Sequence, residues 1–164
     1  APLSGPEVAA YLQKQHRKSA EEAAFLAAMS MGSIGVALAL DKDALTEKRR
    51  TWIDRLGALQ LGDFQSAMMA AEALAGNREE ALRFIKWAES WYRDLLIYRM
   101  TSQPDDLVNS DMRAQVEQQT TQMSVDGIYA AMANAVDAGV EVQRNLNRRM
   151  LLEKLLFGVV GERR

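Results

Sequence analysis

The chain has 164 residues, 48% of them apolar, with ten Gly and three Pro, a composition typical of a folded and mostly helical protein with a sizeable core. Its 20 basic and 22 acidic residues nearly cancel, so the overall charge does not favour direct binding to nucleic acid. The absence of Cys excludes disulfides, thiolate catalysis and cysteine zinc sites. The lack of Cys also fits a reducing compartment, so we expect a cytoplasmic protein. No apolar run approaches the roughly 20 residues that a membrane span needs, so we expect no membrane partner.

The first 40 residues predict three short helices. Ser4 and Glu7 have the spacing of a capping box, and Ser19 provides a cap before the second helix. Gly32 and Ser33 then predict a helix corner, because Gly can adopt the left-handed conformation that ends one helix while the Ser hydroxyl caps the next. We expect a compact three-helix bundle followed by a domain boundary near residues 41–43.

Residues 44–76 predict two further helices. The first carries a basic cluster at residues 48–50, which could contact phosphate or form a solvated helix face. Glu47 and Asp54 flank the cluster, and this mixture of charges favours the solvated face.

An aromatic-rich helix is predicted to begin after Asn77 and to end near Met100. Trp87, Trp91 and Tyr98 are spaced by four and seven residues, so they share one helix face. Such a face fits either core packing or an aromatic binding surface. The helical spacing favours packing, and we predict that Trp91 is buried.

The last third of the chain predicts a loop at 102–110, a Gln-rich helix at the outside or at a subunit seam, and two long helices. Asp105 and Asp106 in the loop are interpreted as solvated residues rather than metal ligands. Asn147 is predicted to cap the final helix. The buried side of the preceding helix is predicted to comprise Val125, Ile128, Tyr129, Met132, Val136 and Val140.

The corner at Gly32 and Ser33 and the Gly-x-Ala-Leu that follows resemble the second-sensor region in the lid of clamp-loader AAA+ subunits, most closely the delta-prime subunits of bacterial DNA polymerase III. In the relatives that hydrolyse ATP, this helix carries an arginine that contacts the phosphates. When Gly32-Ser33 and Ala37-Leu38 are aligned with the same segment of those relatives, the position of their arginine falls at Gly35. The resemblance therefore implies that this chain has no nucleotide site here, and neither a cofactor nor a metal is expected.

Three later segments are similar to the collar domain of the same subunits. They are residues 107–111, Met123 with Ser124, and the Asn-x-Asn turn of Asn145 and Asn147 before a leucine-rich helix. The family often has Pro after this turn, whereas Arg148 stands here. The resemblance implies an all-α fold with a lid-like domain at 1–42 and a collar domain, used for oligomerisation, at 43–164.

The resemblance also implies a structural, non-catalytic role in the clamp loader. The collar would bind the gamma/tau and delta subunits, with Arg144, Arg148 and Arg149 in a polar seam, whereas the sliding clamp and primed DNA would be reached only through the whole complex. Two alternatives remain open: the same region of the ATP-hydrolysing gamma/tau subunit, which Gly35 disfavours, and an unrelated helical adaptor with an exposed apolar groove. The sequence contains no phosphate loop or Ser/His/Asp pattern, so no enzymatic activity is predicted.

Overall fold

The computed structural model describes residues 2–30, 32–102, 107–143 and 147–162. These residues form nine α-helices and one 3-10 turn and contain no strand, which confirms the predicted all-α class. The chain divides into two compact units, Ala1–Arg50 and Thr51–Arg164. The assignment of residues 1–42 to a lid and of residues 43–164 to a collar remains a prediction.

The first unit contains α1 (Gly5–His16), α2 (Ala20–Met29), α3 (Ile34–Ala39) and the beginning of α4 (Lys42–Ala58). The N-terminal caps follow the sequence prediction. The backbone N–H of Ser4 donates to Glu7 Oε2 at 2.8 Å, and the Ser19 hydroxyl accepts from the Glu22 N–H at 3.1 Å. The three short helices pack against one another, as expected for a small helical bundle.

Arg49 corrects the prediction of a solvated basic cluster. Its side chain is buried, its guanidinium carbon lies 4.0 Å from the centroid of the Phe25 ring, and its Nη2 donates to Thr46 Oγ1 at 3.1 Å. A guanidinium over an aromatic face is attracted by the negative charge of the ring face, and this attraction partly offsets the cost of removing the cation from water. Arg50 is exposed and Lys48 is half-buried, so Arg49 differs from both neighbours.

The second unit contains the rest of α4, α5 (Phe64–Ala75), α6 (Arg78–Thr101), the 3-10 turn Ser110–Met112, α7 (Arg113–Gln122), α8 (Val125–Gln143) and α9 (Arg148–Glu162). Helix α6 packs against α5, α7, α8 and α9, and α9 also packs against α5 and α8. The wide apolar face of α6 therefore has several neighbours. The Asn77 side chain accepts from the Glu80 N–H at 3.1 Å and caps this helix as predicted.

Most aromatic residues of α6 lie in the core, whereas Tyr98 near the end of the helix is half-buried. Trp87 and Trp91 are fully buried and their rings stack with centroids 5.4 Å apart, which confirms core packing over an exposed aromatic surface. Trp91 Nε1 donates to Oε1 of Gln119, a buried residue of α7. The Gln-rich helix, predicted to lie on the outside or at a subunit seam, therefore contributes to the core as well as to the surface.

A buried polar cluster fixes the segment before the 3-10 turn to α6. Asp94 is fully buried, and its carboxylate accepts from the Asn109 N–H at 2.7 Å, from Asn109 Nδ2 at 2.8 Å and from the Val108 N–H at 3.1 Å. Burial raises the pKa of the Asp94 carboxyl, while these hydrogen bonds oppose the shift. Asp105 and Asp106 lie outside the described residues, so their solvated role remains a prediction.

Candidate partner-binding surface

Helix α8 has two apolar faces, and the face that packs against α6 and α9 consists mainly of small side chains. Its buried residues are Gly127, Ile128, Ala131, Ala135, Ala138 and Val142. A Cβ added at Gly158 of α9 would overlap the Asn134 side-chain amide of α8. The small residues therefore allow the helix backbones to approach closely, and this close packing determines which face of α8 is buried.

The opposite face of α8 carries an exposed row of larger apolar side chains, which we call the α8 ridge. The ridge comprises Val125, Tyr129, Val136 and Val140. Tyr129 is 59% exposed and Val140 is 49% exposed. Separations of four, seven and four residues place these side chains on one face of a helix with about 3.6 residues per turn.

The α8 ridge contradicts the predicted buried side of this helix. Of the six residues predicted there, Ile128 is fully buried, Met132 is half-buried, and the four ridge residues are exposed. The prediction was wrong because α8 carries two sets of apolar residues with helical spacing, and side-chain size does not decide between them. Bundle packing instead selects the smaller set.

Acidic side chains border the α8 ridge along one side, and we call them the acidic edge. They are Asp126, Asp137 and Glu141, and the sequence of α8 contains no Lys or Arg. Lys154 of α9 lies 3.9 Å from Asp137, measured from Nζ to Oδ2, and both side chains are largely exposed. Within the part of the chain that the structure describes, Asp126 and Glu141 form no ion pair. The exposed side of α8 is thus apolar in the middle and negative at one edge.

A smaller exposed apolar patch lies where α5 begins. Leu61, Phe64 and Met68 are exposed, and the Phe64 ring contacts the Phe157 ring of α9 edge to face, with centroids 5.5 Å apart. Glu72 is the only ionisable residue in the sequence of α5, so this helix has no row of like charges beside the patch. The α8 ridge is the longer surface and has a distinct charge pattern.

Two of the three arginines predicted to form a polar seam, Arg148 and Arg149, make contacts inside the second unit. Arg148 Nε donates to the Ala75 carbonyl at 3.4 Å, and Arg149 lies 2.8 Å from Glu153 and 3.6 Å from Glu72. These contacts join α9 to the end of α5 and to its own next turn. Arg144 lies outside the described residues, and its place in a seam remains a prediction.

The corner between α2 and α3 has the backbone that Gly32 permits. Gly32 has φ +79°, and an added Cβ would overlap the backbone oxygen of Leu3. The Leu3 N–H donates to the Gly32 carbonyl at 3.0 Å, and the Ser33 hydroxyl accepts from the Val36 N–H at 3.3 Å. This corner holds the N-terminal residues against the three-helix bundle.

Gly35 is exposed on α3, and packing does not require its small size. A Cβ added there meets only Ser33 Oγ, at 3.9 Å. The site therefore has room for a longer side chain, and a close helix contact does not explain the glycine. Its correspondence to the sensor arginine remains a prediction from the resemblance.

At the start of α9, Asn147 Oδ1 accepts from the Arg149 N–H at 3.1 Å and from the Met150 N–H at 3.4 Å. Asn145, the other residue of the predicted turn, lies outside the described residues.

In the described ranges, no group of three or more His, Asp or Glu residues is arranged to hold a metal ion. No described helix combines the length and apolar character that a membrane crossing requires.

One family comparison matches most of the chain. The model described as DNA polymerase III, delta subunit, C terminal, matches residues 43–160, a range that includes the whole of α5 to α8 and nearly all of α9. No curated protein and no solved structure matches the chain. The α8 ridge and its acidic edge lie inside the matched range, whereas the corner at Gly32 lies before it. The chain therefore belongs to the family formed by the C-terminal region of DNA polymerase III delta subunits, a family of clamp-loader proteins.

Proposed function

We propose that this chain is a structural, non-catalytic part of the bacterial clamp loader, in which residues 43–164 act as a collar domain that binds neighbouring subunits. The observation that carries the proposal is the family match over residues 43–160. The clamp loader uses ATP to open the sliding clamp and to load it onto primed DNA in the cytoplasm. In this proposal the chain contributes contacts between subunits and reaches the clamp and DNA only through the assembled complex.

Within the loader, we assign the chain to the delta-prime subunit, with residues 1–42 as its lid. Support comes from the corner formed by Gly32 and Ser33 and from Gly35, where the ATP-hydrolysing relatives carry arginine. These residues lie before the matched range, so they support the assignment independently of the family match. The family description names the delta subunit, so delta-prime is a finer assignment that we propose from these residues. The gamma/tau subunit remains the alternative, and Gly35 argues against it.

The α8 ridge supports a role in binding neighbouring subunits. Interfaces between proteins that also exist separately have apolar centres surrounded by polar groups, and the ridge with its acidic edge has this arrangement. Exposed rows of apolar side chains are uncommon on isolated monomeric proteins unless they bind a partner. The collar partners that we propose are the gamma/tau and delta subunits.

The direct test mixes the purified chain with the gamma/tau and delta subunits of its own organism and follows complexes by size-exclusion chromatography with light scattering. We expect co-elution at micromolar concentrations, and we expect excess chain to displace full-length delta-prime subunit from the loader. Displacement of gamma/tau instead would favour the alternative subunit.

A pair of variants tests whether the ridge forms the contact. Tyr129→Lys places a charge in the ridge, whereas Met69→Lys places the same charge on α5, at a methionine that is 63% exposed. We expect Tyr129→Lys to abolish co-elution and Met69→Lys to retain it. A folded wild-type chain that fails to co-elute would refute the collar function and favour the helical adaptor.

A further inference from the structure

We propose that the α8 ridge is covered by an amphipathic helix of a neighbouring clamp-loader subunit, whose apolar residues are bordered on one side by Lys or Arg. The inference rests on the proposed function and adds the chemistry of the contacting surface. The observation that carries it is the charge pattern of α8, which has three acidic residues and no basic residue. A partner that covers the ridge must therefore place groups of its own beside the acidic edge.

The acidic edge lies on one side of the ridge only. Asp126, Asp137 and Glu141 follow one another along the helix, whereas Met132 and Gly139 occupy the opposite border of the ridge. A partner helix with cations on one side only would match this asymmetry. The charge pattern thus determines the orientation of the partner helix as well as the sign of the charge that the helix must carry.

Among the described residues, the acidic edge is largely uncompensated. Lys154 approaches only Asp137, and at 3.9 Å between largely exposed groups this pair is weak. Asp126 and Glu141 lack an ion pair among the described residues. Basic groups on a partner would therefore gain attraction without displacing strong internal pairs.

A second copy of the chain is a poorer occupant of the ridge. Pairing of two α8 helices through their ridges would bring together two helices that carry carboxylates and no Lys or Arg of their own. Like charges placed against each other in an interface oppose association. The acidic edge therefore favours a different, basic surface over self-association.

The test measures the association rate of the chain with its own organism's gamma/tau and delta subunits at low and high salt. Asp126→Lys with Glu141→Lys reverses two charges of the acidic edge. The matched control, Asp54→Lys with Glu117→Lys, makes the same change in net charge at exposed positions on α4 and α7. We expect the edge variant to associate at least about tenfold more slowly at low salt, with a weakened salt dependence, and the control to stay within about twofold of wild type.

Each alternative result has a distinct meaning. An edge variant that associates as fast as the control, while wild type binds normally, would overturn the basic partner and leave the proposed function intact. If the wild-type chain self-associates and Tyr129→Lys abolishes this self-association, the basic partner helix is overturned in favour of a second copy of the chain. Failure of the folded wild-type chain to bind either subunit would overturn the proposed function and this inference together.

Discussion

Replacing Trp91 by Phe tests the buried hydrogen bond between α6 and α7. Trp87 provides a matched control, because both indoles are fully buried and stacked on each other. Trp91 donates to Gln119, whereas the Trp87 Nε1 has no hydrogen-bond partner among the described residues. The two Trp→Phe substitutions remove the same atoms, but only the change at Trp91 leaves a buried amide oxygen unpaired.

An unsatisfied buried polar group costs about 1–3 kcal/mol. We therefore expect Trp91→Phe to lower the free energy of unfolding by about 1–3 kcal/mol more than Trp87→Phe does. Trp91→Ala, which also creates a cavity, should cost about 3–5 kcal/mol.

Urea unfolding followed by tryptophan fluorescence provides the measurement. All three tryptophans, Trp52, Trp87 and Trp91, lie in the unit Thr51–Arg164, so the signal reports the unfolding of that unit alone. Each single variant keeps two tryptophans as probes.

A double-mutant cycle with Gln119→Leu isolates the hydrogen bond. Gln119→Leu leaves the Trp91 N–H unpaired, whereas the double variant removes both partners, so the double loss should be about 1–3 kcal/mol smaller than the sum of the single losses. Equal losses for Trp87→Phe and Trp91→Phe, together with an additive cycle, would refute the reasoning.

Three further sites give separate predictions. Gly35→Ala should stabilise the first unit by about 0.5–1 kcal/mol in thermal unfolding followed by circular dichroism, because glycine is unfavourable in a helix and this site has free space. Gly35→Arg should produce no ATP hydrolysis in a phosphate-release assay, and measurable turnover would contradict the absence of a nucleotide site. Gly32→Ala should destabilise the same unit by at least about 1 kcal/mol, since φ is +79° and the methyl group would overlap the Leu3 carbonyl. Burial raises the pKa of Asp94, so the folded state holds this proton more tightly than the unfolded state does. The unfolding free energy of wild type minus that of Asp94→Asn should therefore decrease as pH rises from the unfolded Asp pKa through the raised folded pKa, because only wild type carries the group that must release this proton. A difference that does not change with pH would contradict the raised pKa.

The starts of most helices could be predicted because capping is local. Ser19 and Asn77 each accept a hydrogen bond from an N–H three residues ahead, so residue type and spacing contain the required information. The left-handed Gly32 was predictable for the same reason. Burial of Trp91 followed from its place on a wide apolar face, although its partner Gln119 did not.

Features that depend on distant residues were not predictable from spacing. Arg49 is buried because Phe25, on another helix, lies beneath its guanidinium. The exposed side of α8 depends on how closely its alanines allow α6 and α9 to approach. One signal in the sequence points to the exposed side: the three carboxylates of α8 each directly follow a valine of the ridge.

The division of α8 into a buried small-residue face and an exposed ridge separates folding from partner choice. Substitutions at Tyr129 or Val136 change side chains that make little contribution to the core, while Ala131 and Ala135 leave almost no room for change. Ridge residues can therefore vary without loss of the fold, and partner specificity can be redesigned there as a unit. Because the ridge lies on a packed helix, it is also preorganised, so a partner does not bear the entropic cost of ordering it.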